Sequence, residues 1–350
     1  LTEQLEMKDV RLTYAPHESI GDYGGEIDNW RWPRHGGDFA FFRVYVGKDG
    51  APADHAEANV PYKSKVFLPF ATSPLRAGDL VFMAGYPGST SRLKIAAEVE
   101  ETATWIYPTR IDSNAAFVPL LDSFAAKSKE LQIKTSSQLG GLNNALTKMR
   151  GVVEMLGKGG RIEDRKKAEA ELTAWIEADP TRKAAWGGVV EAMSAHVAEM
   201  KKHREHDAAV RELLGTPRLM TTAMLIVRAA EERAKPDADR HPDYQERNYK
   251  RFGDETASLQ KAYDRGVEMA VLELALERTR KVDATHWPAF TLRFIGKVTE
   301  VDRKKRIAEV YEKTKLEDLE TRKKLLLTAK IADLKKLKDP LIDLALGQGH

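Results

Sequence analysis

The densest gathering of chemically capable residues is Gly21 to Tyr45, GDYGGEIDNWRWPRHGGDFAFFRVY, where two Gly-Gly pairs, two tryptophans, a proline and an aspartate crowd into one loop ahead of an apolar run. Loops this structured ordinarily position something. Asp38 follows Gly36-Gly37 and opens the apolar run Phe39 to Val46, so a strand there would hold its carboxylate, read as buried, at a barrel rim. An acid held in that way can orient a histidine and stabilise its imidazolium form. The alternative, which spacing alone favours, is a turn aspartate capping a strand. Asn29 and Trp30 stand just upstream. The amide carbonyl could accept hydrogen bonds from a cationic amine while the indole walls a pocket; the alternative is an Asx-turn beside a core tryptophan.

Other residues invite chemistry and carry less. Ser89 lies in a Gly-x-Pro-Gly-Ser turn after a predicted strand, but the nucleophile elbow G-x-S-x-G is not matched. His35 precedes Asp38 by three residues, a closeness that gives a local turn contact rather than the long-range geometry of a triad. His196, His203 and His206 fall near one face of a helix and could bridge a metal, yet they sit in HVAEMKKHREH, a cationic run better read as a solvated face. No metal or cofactor is expected. Asp302 to Lys338 carries an apolar stripe through Ile307, Val310, Leu316 and Leu334, read as one long amphipathic helix rather than a coiled coil, because no heptad is sustained.

These residues need a scaffold, and 350 residues suffice for two domains with ordinary cores. Apolar residues make up 42% and charged residues 31%, and no stretch approaches the roughly 18 apolar residues of a membrane span. With 56 bases against 53 acids, the charge balance points away from nucleic acid. The absence of cysteine removes disulfides, thiolate metal sites and cysteine nucleophiles. Residues 1–95 read as strands and turns, with runs at Val10 to Tyr14, Phe39 to Val46, Val66 to Ala71 and Leu80 to Ala84. In the second run both alternating faces are largely apolar, as in a barrel wall that also packs against a neighbour. Residues 96–350 have helical periodicity, with helices predicted over 113–156 (broken near Gly140), 161–178, 183–214, 218–234, 254–282 and 301–338. No fixed repeat supports a solenoid, so a bundle-like helical domain is expected.

The segments DNWRWPRHGGDFAFFRVY, VFMAGYPGST (Val81 to Thr90) and LGGLNNALTKMRG (Leu139 to Gly151) together resemble serine peptidase family forty-six, the bacterial dipeptidyl aminopeptidases. The resemblance implies an α+β multidomain architecture: 1–95 as part of a chymotrypsin-like double β-barrel bearing the catalytic aspartate loop, and 96–350 as a large inserted α-helical domain that caps the cleft. It puts the triad aspartate on Asp38 and the amine-binding pair on Asn29 and Trp30. A further amine ligand falls on Asn144, or on Asn143 if the alignment slips by one. An exopeptidase must hold the α-ammonium of its substrate, and acceptors from two domains would fix the distance from that charge to the scissile bond. The resemblance also implies peptide substrates with a free N-terminus, no cofactor, a homodimer in the intact enzyme, and a periplasmic or envelope location.

The departures count equally. The family's histidine lies in an Asn-His-His-Cys type motif and its serine in a Gly-Asn-Ser-Gly type motif, and neither occurs in these residues. The chain opens on Leu1 and stops just after the apolar stretch Leu341 to Leu346, so both ends read as cuts, and an internal fragment inactive on its own is expected. The alternative is a non-enzymatic helical module that binds peptides or partners.

Overall fold

The alternating residues around Val10 form β1 (Asp9–Tyr14), in a computed structural model that describes residues 5–82, Gly85 and 93–347. β1 pairs antiparallel with β2 (Phe41–Val46), Val10 opposite Val44 and Leu12 opposite Phe42, with a bulge between Leu12 and Tyr14. β2 pairs in turn with β3 (Val60–Pro61), Tyr45 opposite Pro61. Asp9 anchors the sheet: it is buried and accepts hydrogen bonds from Arg11 Nη2 at 2.8 Å, His55 Nδ1 at 3.1 Å and Asn59 Nδ2 at 2.9 Å, tying β1 to the turn before β3. Arg11 also lies over the Tyr45 ring, 3.9 Å from its centroid.

Among the described residues this three-stranded sheet is the whole of the β structure, and it does not close into a barrel. The runs predicted as strands at Val66 to Ala71 and, in their described part, Leu80 to Ala84 are irregular, with Val66, Phe67, Leu68, Phe70 and Phe82 exposed. An apolar run becomes a strand only where a neighbour takes up its backbone groups and a core its side chains, and after Tyr62, whose N–H still donates to Val44 O at 2.9 Å, residues 63–82 pair with no strand. The two-sided burial expected of Phe39 to Val46 is likewise not seen: Phe41 and Phe42 are exposed and only Val46 is buried.

The chain divides into two units, Leu1–Leu93 and Lys94–His350, and the second is helical. The chain-order labels α1 (Glu18–Gly21) in the first unit and α2 (Ala96–Glu101), α3 (Tyr107–Ala125), α4 (Lys129–Lys158), α5 (Arg161–Glu177), α6 (Pro180–Trp186) and α7 (Val189–Gly215) in the second are followed by α8 (Arg218–Glu232), α9 (Tyr249–Ala262), α10 (Arg265–Thr279), α11 (Glu300–Lys313), α12 (Leu319–Thr328), α13 (Ile331–Leu337) and α14 (Pro340–Leu346). The core gathers on α8, whose Leu219, Met220, Ala223 and Ile226 are fully buried together with Leu272 and Leu276 of α10 and Leu341 and Ile342 of α14. Among the described residues no helix is long and apolar enough to cross a membrane.

The helix breaks differ from the predicted ones for local reasons. α4 runs through Gly140-Gly141 unbroken; the stop lies before it, where the Ser128 side chain caps the new helix by accepting from Leu131 N at 3.1 Å. α2 and α3 form one continuous helix around a π turn, Thr102–Ile106. That wider turn sits just ahead of Pro108, whose ring would collide with the carbonyl four residues back in a regular α-helix. The predicted 183–214 helix breaks at Gly188, with φ +74°, and 254–282 breaks at Asp264, which caps α10 through Val267 N at 3.0 Å. The single helix expected over 301–338 is three helices, the second started by Asp318 accepting from Thr321 N at 2.7 Å.

Candidate active site

Between α1 and β2 the chain leaves the sheet and returns to its starting point. His17 starts α1, its Nδ1 accepting from Ser19 N at 3.2 Å. The return is fixed where Gly37 N donates to Ile20 O at 2.7 Å. A Cβ on Gly37 would lie 2.9 Å from Ile20 Cγ2, and one on Gly36 would lie 3.2 Å from Gly21 O. The Gly-Gly pair is therefore what lets the two limbs of the loop touch.

Asp38 is the next residue, at the foot of the closed loop. Behind it Phe39 N donates to Gly37 O at 3.0 Å, and the Phe39 ring packs on Tyr14 and Phe41 at centroid distances of 6.0 and 5.6 Å. The backbone of Asp38 is thus held from both sides, although two expectations fail. β2 opens at Phe41 rather than Phe39, because β1 ends at Tyr14, the partner of Phe41, and leaves no strand for the residues before it. The Asp38 carboxylate is exposed rather than buried, and it forms no hydrogen bond or ion pair with any described residue. The sheet beside it is too small to cover it.

Asn29 and Trp30 lie within the same loop, after a short 3-10 turn, Gly25–Ile27, and a backbone bond from Arg31 N to Asp28 O at 3.2 Å. Asn29 is half-buried. Trp30 has φ +61° and an exposed ring. For a bulky residue this left-handed conformation is strained by about 1–3 kcal/mol, and such strain is found chiefly at ligand clamps and active sites. The loop carries Asn29, Trp30 and Asp38 along one stretch of chain. Asn144 belongs to the helical unit, exposed on α4 beside the half-buried Asn143.

His35 is exposed and makes no hydrogen bond to Asp38, so even the expected local turn contact is missing. Ser89 lies outside the described residues. On α7, His206 approaches Asp207 at 3.4 Å, and no group of three or more metal-ligating side chains occurs among the described residues. What the loop can do chemically is present one unengaged carboxylate to an imidazole, and it also carries the strained backbone of Trp30.

The helical unit holds a feature that leaves no mark in the sequence. The π turn brings Trp105 to the junction of two cavities of about 880 and 590 Å³, and Arg110 and Arg211 line both. Spacing carries no signal for this, because the two arginines come from separate helices.

Comparison with known proteins adds four findings. The profile of a family described as Peptidase S46 matches residues 1–347. An Asp/Glu-specific dipeptidyl-peptidase of Shewanella putrefaciens is 35% identical over 252 residues, covering 72% of this chain and 34% of that protein. Dipeptidyl-peptidase 7 of Porphyromonas gingivalis is 28% identical over 307 residues, covering 88% of this chain and 41% of that protein. The crystal structure of Porphyromonas endodontalis DPP11 in complex with the dipeptide Arg-Glu shares the fold with a TM-score of 0.69 at 24% identity, over 98% of this chain and 48% of that one. The chain thus spans less than half the length of these relatives.

Proposed function

The chain belongs to the Peptidase S46 family, and from that premise we propose that it serves a serine-type dipeptidyl aminopeptidase that releases dipeptides from the free amino termini of peptides. The observation that carries this reading is the family match along residues 1–347. The relatives, named as dipeptidyl peptidases, support it.

In the intact enzyme a serine attacks the second peptide bond, a histidine takes its proton and returns it to the leaving amine, and Asp38 orients that histidine and stabilises its cationic form. Neither the histidine motif nor the serine motif occurs in residues 1–350, so in this proposal both groups come from other sequence. The fixed backbone and unengaged carboxylate of Asp38 suit the role. Asn29 and Asn144 accept from the substrate's α-ammonium, and Trp30 shields it; the strained φ of Trp30 is what a clamp would require. β1 to β3 contribute to a chymotrypsin-like barrel wall, and the helical unit acts as its cap. On the strength of the family resemblance, the intact enzyme is a periplasmic or envelope homodimer.

The test is Asp38→Asn in the full-length enzyme. An amide in place of the carboxylate favours the wrong histidine tautomer, so turnover of a dipeptidyl substrate should fall by about ten-thousandfold. Near-normal turnover would remove Asp38 from the triad.

A further inference from the structure

The helical unit holds cations that its own acids do not neutralise. In the larger cavity Glu212 is taken by Arg278 at 2.7 Å, Glu205 faces His286 at 3.5 Å, and Asp283 accepts from Thr285 N and Oγ1 at 2.9 and 2.7 Å. In the smaller cavity Glu101 is held by Arg204 and Lys201 at 2.9 and 3.2 Å, and Glu98 caps its helix through Ile95 N at 3.0 Å. Asp207 acts on Arg211 electrostatically without pairing with it, and its carboxylate lies 3.4 Å from His206 Nδ1. Arg110 and Arg211, which line both cavities, and Lys281 of the larger one form no side-chain hydrogen bond or ion pair among the described residues.

Two guanidiniums that line the same cavities repel, and Asp207 offsets this only in part. Partial burial first, and Arg110 second, hold the Arg211 guanidinium below its usual value. Arginine side chains present a planar fork that matches a carboxylate bidentately. The surroundings narrow the ligand further. The smaller cavity offers Ile106, Val189, Met193, Val197 and Met200, an apolar wall suited to an aliphatic side chain. The larger offers the hydroxyls and amide of Thr109, Ser113, Asn114 and Ser137, suited to peptide N–H and C=O groups. Both cavities have the size of small-ligand sites, and the π turn that carries Trp105 to their junction is a distortion often found at functional sites.

We propose that Arg110 and Arg211 bind the C-terminal carboxylate of a short peptide, whose last, apolar side chain enters the smaller cavity while its backbone runs into the larger. Capture of a chain terminus by convergent donors is a recurring mode of peptide recognition. The site needs neither Asp38 nor a free amino terminus, so its test is separate from that of the proposed hydrolysis.

The experiment is calorimetric titration of the full-length protein with the peptide N-acetyl-Ser-Ala-Leu, whose blocked amine cannot engage Asn29, Trp30 or Asn144. The free acid should bind. The corresponding C-terminal amide should bind at least tenfold more weakly, as should the free acid to a variant combining Arg110→Gln and Arg211→Gln. Arg182→Gln, outside both cavities, should leave the affinity unchanged. Octanoate serves as the competing source of a carboxylate on an apolar tail and should bind more weakly than the peptide acid. Equal binding of acid and amide, no binding of the acid, full affinity in the double variant, or binding of octanoate alone would each overturn the proposal. The amide comparison uses the unaltered protein, so it stands even if the double variant fails to fold.

Discussion

Glu268 offers a prediction whose size follows from the structure. It projects from α10, is 3% exposed, and accepts from Arg218 N and Leu219 N, both at 3.0 Å, with Tyr311 Oη at 3.5 Å. The residue preceding α8 is Pro217, which supplies no side-chain cap, so a carboxyl from another helix takes over that task. Burial raises its pKa from 4.5 to about 7, against the opposing pull of the two backbone N–H groups, Arg218 and Tyr311. The folded protein therefore keeps a proton that the unfolded chain releases. This contribution to stability is fully present below pH 4.5 and is lost as the pH rises through about 7. At 1.36 kcal/mol per unit it amounts to about 3 kcal/mol between pH 4.5 and 8. Glu268→Gln stays neutral throughout and keeps one acceptor for two donors, leaving one N–H unsatisfied at about 1–3 kcal/mol. Urea unfolding of both proteins from pH 5 to 8 should show the variant less stable at pH 5, with the gap closing or reversing by about 2.5 kcal/mol at pH 8. Taking the difference at each pH cancels every other titrating group to first order. A gap independent of pH would show that Glu268 does not carry the proton.

Asp9 should behave in the opposite sense: Arg11 foremost, with Asn59 and His55, holds its carboxyl far below its usual value against the desolvation that opposes them, so its contribution is present above pH 3.8 and lost as the pH falls. Protection factors of the β1 amides, with the intrinsic pH dependence of exchange divided out, should fall on acidification, and at pH 7 in Asp9→Asn; unchanged protection in the variant would contradict the anchor role. Gly37→Ala in the full-length enzyme should lower turnover while leaving Asp38 in place, because its Cβ would meet Ile20 at 2.9 Å and overpacking of this kind costs about 1–3 kcal/mol; partial rescue by Ile20→Ala is expected, and full activity of the single variant would argue that the loop foot does not matter. Asp339, fully buried, accepts from Leu341 N at 3.0 Å, Ile342 N at 3.2 Å, Lys315 N at 2.6 Å and the Thr314 hydroxyl. Asp339→Ala should therefore destabilise the helical unit by about 2–4 kcal/mol, and a loss below 1 kcal/mol in urea unfolding would refute the count of unsatisfied donors.

How much of this was legible in the sequence depended on whether the deciding interaction was local. β1 and the helical character of residues beyond 95 follow from periodicity, which each segment carries by itself. The breaks were misjudged where a glycine pair was given more weight than a cap. Gly140-Gly141 sit inside a 30-residue helix, whose many other bonds outlast a local weakness of about 1 kcal/mol per glycine, while Ser128, Asp264 and Asp318 each satisfy a backbone donor that no neighbouring turn could. The run Val66 to Ala71 failed for the converse reason: its composition suits a strand, but a strand is a property of a pair.

The candidate site divides along the same line. Spacing alone favoured a turn aspartate at Asp38 and an Asx-turn at Asn29, and only resemblance to a family lifted them above that reading. The structure adds two observations that neither spacing nor resemblance contained: the contact of Gly37 with Ile20 that closes the loop, and the left-handed backbone of Trp30. Both depend on chain segments meeting in space. The unpaired arginines go further, because what marks Arg110 and Arg211 is that the acids around them are already engaged, Glu212 by Arg278 and Glu101 by Arg204. A composition of 56 bases and 53 acids looks neutral, and only the pattern of pairing shows where positive charge is left over. A charge matched on average but not locally can take an anionic ligand, and only the fold shows where it lies.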